Sequence, residues 1–60
     1  MTGYRLYFIG EDGRIFKAAE TECENDSAAR EWATRQDQRH ALELWTGARV
    51  VASFPAPDGR

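Results

Sequence analysis

Apolar and polar residues alternate in two stretches of the chain, and a glycine-containing turn interrupts each stretch. The first stretch covers residues 4–18 and turns at 10–13, and the second covers residues 41–54 and turns at Thr46 and Gly47. A two-residue period is typical of strands with one buried face. Asp-Gly between such runs, as at Asp12 and Gly13, favours a tight hairpin. The pattern therefore predicts two β-hairpins.

The segment between the hairpins has the pattern of one short helix. Asn25, Asp26 and Ser27 are three successive candidates for the N-cap. The residues that follow, 28–33, favour helix and place three alanines and Trp32 on one side. We expect this helix to end at about Arg35–Gln38.

These elements predict an α+β fold of ββαββ order, a four-stranded, mainly antiparallel sheet with one helix packed on one face. Sixty residues form at most one domain. We expect that domain to span residues 1–60, with an ordered core at about 3–54. The proline-containing residues 55–60 are predicted to form a flexible tail.

Turn chemistry predicts the register of the first hairpin. A three-residue loop of Glu11, Asp12 and Gly13 pairs Ile9 with Ile15. The same register places three pairs opposite one another along the two strands: Ile9 and Ile15, Phe8 and Phe16, Leu6 and Ala18. One face then carries Tyr4, Leu6, Phe8, Phe16 and Ala18, and the other carries Arg5, Tyr7, Ile9, Ile15 and Lys17.

The second hairpin allows two loop lengths at Thr46-Gly47. A three-residue loop separates an apolar stripe from a mixed face, whereas a two-residue loop puts Arg49 opposite Leu44 on the core face. We favour the three-residue loop for that reason. It assigns Leu42, Leu44, Val50, Ala52 and Phe54 to the core, and Ala41, Glu43, Trp45, Arg49, Val51 and Ser53 to the opposite face.

One helix covers only one face of a sheet, so the other face is the candidate functional surface. Its predicted apolar contacts are Tyr7, Ile9, Ile15, Trp45 and Val51, and its predicted charged rim is Arg5, Lys17, Glu43 and Arg49. A contiguous apolar set with a charged rim is typical of a protein interface. The alternative interpretation is that Tyr and Trp are simply good strand residues.

Self-association is the interaction that the size of the chain favours. A domain this short has a thin stability margin, and its single cysteine, Cys23, excludes an internal disulfide. We therefore expect a homodimer in which two outer faces pack together. A different protein partner is the variant of this hypothesis that stays open.

Nucleic-acid binding, or regulation through a bound partner, is the alternative function of the same face. Tyr7 and Trp45 beside Arg5, Lys17 and Arg49 imitate a base-stacking surface. The formal net charge of −2 argues against it, since phosphate contacts depend on clustered Lys and Arg.

No catalytic or metal-binding pattern stands out, so we expect a non-enzyme without cofactor or metal. Cys23 and His40 flank opposite ends of the predicted helix, which argues against a catalytic pair. The acidic run 21–26 lacks the turn glycine and ligand series of a calcium loop. No apolar run approaches a membrane span, no export signal is visible, and a lone thiol favours a reducing cytoplasm.

Several short motifs resemble those of a group of small bacterial proteins of unknown function, common in alphaproteobacteria. The matching residues are 4–8 before 12–15, the acidic 24–26 before an alanine-rich helix, and 42–45 before Gly47. Trp32 and the polar residues 34–36 depart from the longer acidic-alanine helix of that group. The resemblance implies the strand-turn-strand-helix-strand-strand layout and no assigned activity.

Overall fold

Four antiparallel strands form one sheet in the order β2-β1-β3-β4, and one helix packs on it. The structure is a computed structural model that describes residues 1–36 and 39–56. Its elements are β1 Thr2–Ile9, β2 Ile15–Cys23, α1 Asp26–Thr34, β3 Ala41–Thr46 and β4 Arg49–Phe54. The predicted α+β fold of ββαββ order is confirmed.

The core lies between α1 and the face of the sheet that we call the inner face. Alternation along β1 and β3 directs every second side chain toward the helix. The buried residues there are Tyr4, Leu6, Phe8, Leu42 and Leu44 from the sheet, with Ala29 and Ala33 from the helix. Two alanines at the contact let the helix lie close to the strands, and Trp32 is partly buried beside them.

The helix begins and ends close to the predicted positions. The Asn25 side chain accepts a hydrogen bond from the backbone N–H of Ala28 at 2.9 Å, which makes Asn25 the N-cap. The helix ends at Thr34, with Arg35 as the C-cap, slightly earlier than the predicted end at Arg35–Gln38. Residues 37 and 38 of that expected end lie outside the described residues.

The first turn is correctly predicted, but the strand register beyond it is not. Gly13 has a φ of +82°, and the Gly10 N–H donates to the Arg14 carbonyl at 2.8 Å, which closes the three-residue loop. Ile9 pairs with Ile15 as expected. A β-bulge follows, so that Lys17 instead of Phe16 lies opposite Phe8.

The bulge changes the face of every later residue of β2. Ala19 now pairs with Leu6 on the inner face, whereas Ala18 pairs with Tyr7 on the outer face. The predicted register would have carried Glu20 and Glu22 under the helix. The extra residue turns both carboxylates outward, and this avoids burying unpaired charge.

The second hairpin combines the less favoured turn with another bulge. Thr46 pairs with Arg49 across a two-residue loop, in which Gly47 has a φ of +58°. Trp45 then pairs with Val50, and the register shifts before Leu44 reaches Ala52. The expected three-residue loop is therefore wrong. Beyond the bulge, the predicted faces of Leu42, Leu44, Glu43, Ala52, Ser53 and Phe54 are confirmed.

Three residues predicted to lie in the core lie elsewhere, Phe16 and Ala18 because of the first bulge and Val50 because of the two-residue turn. Phe16 and Val50 are 55% and 46% exposed, although both were expected under the helix. Ala18, expected there as well, is exposed on the outer face opposite Tyr7. The single-domain span 1–60 with a tail at 55–60 stays a prediction, because 57–60 lie outside the described residues.

Candidate functional site

Two aromatic side chains occupy the centre of the outer face. Tyr7 on β1 and Trp45 on β3 meet edge to face, with ring centroids 6.3 Å apart and planes 80° apart. The Trp45 Nε1–H donates to Glu43 Oε1 at 3.2 Å, which fixes the indole on its own strand. Both rings are half-buried, so their other surfaces stay available to a partner.

Aliphatic side chains extend this aromatic pair toward the first hairpin and toward β4. Ile9 and Ile15 are cross-strand partners beyond Tyr7, and Ile15 is 55% exposed. Val50 pairs with Trp45 on the other side. We call Tyr7, Ile9, Ile15, Trp45 and Val50 the outer patch. Four of the five members were predicted.

Val50 replaces Val51, which is a correction to the predicted interface. Val51 is the extra residue of the bulge and packs partly buried against the core. Val50 takes the outward position because the two-residue turn reverses the alternation next to it. The sequence signal for the two-residue loop was Gly47, because glycine readily adopts the positive φ that such a loop requires.

Lys17 is a second correction, because it does not lie on the outer face. The bulge at Phe16 places Lys17 opposite the buried Phe8, with Nζ 5.1 Å from the Phe8 ring centroid. Its methylene stem and charge therefore cover the edge of the core. The alternation of Glu20 and Glu22 with Thr21 along the strand was the sequence signal for this register.

Arg49 is a third correction, because it joins the helix to the sheet. Its guanidinium donates to Asp26 at the start of α1, with Nη1 3.2 Å from Oδ2. The Tyr4 hydroxyl also donates to Asp26, at 2.7 Å. These hydrogen bonds, that of Tyr4 first, lower the pKa of Asp26, and the bond to Asp26 raises the pKa of Tyr4. Arg49 thus belongs to a structural cluster on the inner side.

Arg5 and Glu43 lie on the outer face, as predicted, and both already have partners. Arg5 forms an ion pair with Glu20 and donates to the Tyr7 hydroxyl at 3.4 Å. The hydrogen bond to Tyr7, followed by that to Glu20, raises the pKa of Arg5. Arg5 is the single outward-facing cation of the four described strands, beside Glu20, Glu22 and Glu43. The outer face is therefore acidic.

A shallow groove of about 480 Å³ lies at the N-terminal end of β1, beside the outer patch. It is lined by the glycines Gly3 and Gly47, by the aromatic residues Tyr4, Tyr7 and Trp45, and by Arg5, Glu20, Thr21 and Glu22. A Cβ built at Gly3 would meet no heavy atom within 4 Å. Sequence reasoning missed this groove, because it depends on the register that brings Glu22 opposite Gly3.

Cys23 and His40 lie at opposite ends of the sheet. Cys23 pairs with Thr2 at the start of β1, whereas the His40 ring contacts Phe16, with centroids 4.8 Å apart, near the end of that strand. Eight residues of strand separate these ends, roughly 23 Å. The two side chains therefore cannot form a nucleophile–base pair.

The part of the chain that the structure describes contains no group of three or more His, Cys, Asp or Glu placed to hold a metal ion. Its one helix, α1, has nine residues, and no described helix has the length and apolar character needed to cross a bilayer.

No protein-family model, curated protein or solved structure matches this chain. The resemblance to small alphaproteobacterial proteins stays a prediction. Function is therefore inferred from the geometry of the outer face.

Proposed function

We propose that this protein is a small, non-enzymatic interaction module that self-associates through its outer sheet face. The observation that supports the proposal most directly is the outer patch on the face opposite α1, where the Tyr7 and Trp45 rings are in contact, Val50 pairs with Trp45, and Ile9 pairs with Ile15 two residues along β1 from Tyr7. Contiguous exposed apolar surface marks interaction sites more often than isolated residues do. Tyr and Trp at its centre are the residues enriched in interface hot spots.

A second copy is the partner that the energetics favour. Seven residues form the buried core of the described chain, which is a small core for an independent domain. Packing two outer faces buries both patches without requiring another protein. Closed two-fold pairs are also the commonest soluble assemblies. We expect Arg5 and Glu43 to lie at the rim of this interface.

The polar groups of the outer face favour docking over catalysis. Arg5 is held by Glu20 and Tyr7, and the Trp45 indole is held by Glu43. Such paired groups keep the aromatic surface in a fixed shape, which lowers the entropy cost of binding. We also propose a cytoplasmic location, where the single thiol of Cys23 would stay reduced.

Nucleic-acid binding is the second candidate, and the outer face supports it less well. Tyr7 and Trp45 on an open sheet have the chemistry to stack on bases. Lys17 and Arg49, however, lie on the inner side, and this leaves Arg5 beside three glutamates. Phosphate contacts need more positive charge than this face offers.

Multi-angle light scattering at micromolar concentration tests the proposal. We expect a species of twice the chain mass of 6.8 kDa. Trp45→Ser and Tyr7→Ser should each return it to the monomer while the circular dichroism spectrum is kept. Phe16→Ser is the matched control, because it removes an aromatic ring that is 55% exposed but belongs to the inner side. A monomer at all concentrations would contradict self-association.

Salt dependence separates the two candidates. Two acidic outer faces repel each other, so salt should strengthen self-association by screening that repulsion. Binding of a single-stranded oligonucleotide would weaken with salt, because it releases counterions. Measurable oligonucleotide binding at low salt, lost at high salt, would favour the second candidate.

A further inference from the structure

We infer that the groove at Gly3 binds an arginine side chain of a different, basic protein. The inference rests on the proposed role of the outer face as a docking surface, and it names the chemistry that one end of that face recognises. Three features support it: a glycine that the backbone does not require, an unpaired carboxylate, and the sign of the charge.

Gly3 keeps the groove open although nothing in the backbone requires a glycine there. Its φ is outside the positive region that favours glycine, and it pairs with Glu22 in regular register. A Cβ at this position would enter open space. Glycine in a strand interior weakens the strand and often marks the close approach of a ligand or of another chain. The absent side chain is what makes room for an occupant.

The groove offers an unpaired carboxylate, while Arg5 and Trp45 already donate hydrogen bonds within the protein. The Arg5 guanidinium donates to Glu20 and Tyr7, and the Trp45 indole N–H donates to Glu43. The Glu22 carboxylate has no hydrogen-bond or ion-pair partner within residues 1–36 and 39–56. A ligand that supplies hydrogen-bond donors is therefore complementary to this carboxylate.

The charge of the groove favours a cation, and its shape favours arginine on a polypeptide. The charged residues that line the groove are one cation, Arg5, and two anions, Glu20 and Glu22. One further positive charge would therefore neutralise it. A guanidinium is planar, stacks on aromatic rings such as Trp45 and donates two hydrogen bonds to one carboxylate. The groove is open to solvent along its length, and this suits a side chain that projects from a partner surface.

A different protein is the source that the charge distribution favours. A second copy would bring the same acidic outer face to the groove, whereas a basic partner brings the complementary charge. The groove and the outer patch share Tyr7 and Trp45, but Gly3 and Glu22 belong to the groove alone. These two positions therefore distinguish arginine recognition from self-association.

The test is a nuclear magnetic resonance titration with two capped tripeptides, acetyl-Gly-Arg-Gly-amide and its citrulline counterpart. Citrulline keeps the shape of arginine and removes its charge. The titration is run at several protein concentrations, where the light-scattering mass gives the fraction of monomer, and the Trp45 indole N–H signal is followed. We expect the arginine peptide to bind at least about threefold more tightly, as exposed cation–π and ion-pair contacts predict. Equal binding of the two peptides, or no binding of either, would overturn the inference.

Two variants and one control locate the binding. Gly3→Val, which fills the groove with a strand-forming side chain, should abolish binding without loss of thermal stability. Glu22→Gln should weaken binding about two- to fivefold. Glu24→Gln, the same change on an exposed residue outside the groove, should bind as the wild type does. Wild-type affinity in both groove variants would assign the peptide to another surface and contradict the inference.

Failure of this inference is distinguishable from failure of the proposed self-association. A monomeric chain that binds the arginine peptide supports the groove and contradicts the dimer. A chain that forms the dimer but does not bind the arginine peptide contradicts the inference about the groove and leaves self-association supported. If Glu22→Gln also loses self-association, the second copy supplies the arginine, and assignment to a different protein is overturned.

Discussion

The inner and outer faces of the sheet come from alternate residues of the same strands, yet they differ in what they bury. Leu44 on the inner face is fully buried, whereas its neighbour Trp45 on the outer face is half-buried. No polar or charged residue is buried among the described residues. The outer face instead mixes aromatic, aliphatic and acidic groups.

This difference separates stability from recognition. The buried core between the helix and the inner face is hydrophobic, and such burial stabilises the fold. On the outer face Arg5 is paired with Glu20, the Trp45 indole is held by Glu43, and the Tyr7 and Trp45 rings meet at a fixed angle, an arrangement that suits a docking surface. Substitutions on the two faces should therefore change different measurements.

The largest expected effect is on the inner face. Leu44→Ala removes a fully buried side chain and should lower the free energy of unfolding by about 2–5 kcal/mol. A single core in a chain this short rarely supplies more than about 3–5 kcal/mol of stability, so the variant should be largely unfolded at 37 °C. Urea denaturation followed by circular dichroism measures the change.

Trp45→Ser, one residue along, is the matched comparison for that measurement. Trp45→Ser should lower the unfolding free energy of the monomer by less than half as much as Leu44→Ala does, and it should abolish self-association. If Trp45→Ser unfolds the monomer as Leu44→Ala does, the distinction between the two faces is wrong.

An intermediate effect is expected at the bulge of β4, where two adjacent valines face opposite sides. Val51 packs against the core, so Val51→Ala should lower the unfolding free energy by about 1–2 kcal/mol. Val50 is 46% exposed, and Val50→Ala should stay within about 0.5 kcal/mol of the wild type. Chemical denaturation of both variants compares them directly. The reverse order of costs would indicate the hairpin register without the bulge.

The smallest expected effect is the pH dependence of the link between α1 and the sheet. The hydrogen bonds from Tyr4 and Arg49 lower the folded-state pKa of Asp26, so its ionised form stabilises the fold. That contribution is complete above the unfolded-state pKa of about 3.9 and is lost as the pH falls below it, through the lowered folded-state value.

Asp26→Asn isolates this contribution from that of the other carboxylates. The melting temperature of the variant should lie below that of the wild type at about pH 7, and the gap should narrow toward about pH 2. Tyr4→Phe, which removes the largest cause of the shift, should reduce the dependence in part. A gap that is unchanged over this range would contradict the role of Asp26.

The element order and most of the core could be predicted from the sequence, because period and turn chemistry are local properties. The N-cap at Asn25, the loop closed by Gly13 and the buried Leu6 and Leu42 follow from such local patterns. Alternation also placed Tyr7 and Trp45 together on the outer face, and the structure shows them in edge contact.

The two bulges could not be predicted from the same patterns, and the two-residue turn of the second hairpin was the less favoured alternative. Every correction at the site follows from one of these features. A bulge inserts one residue and exchanges the faces of those beyond it, as with Lys17 after Phe16. The strand register depends on tertiary energies, such as keeping Glu20 and Glu22 out of the core and pairing Arg49 with Asp26 at the start of the helix. The alternation of apolar and polar residues along one strand gives no information about those tertiary interactions.

The central claim is that a second copy covers the outer face, and the fluorescence of Trp45 tests it most directly. In a Trp32→Phe chain, Trp45 is the remaining tryptophan. As the concentration rises through the range where light scattering shows the mass double, its emission should move to shorter wavelength and acrylamide quenching should decrease. Emission and quenching that stay constant while the mass doubles would show association through another surface and contradict the claim.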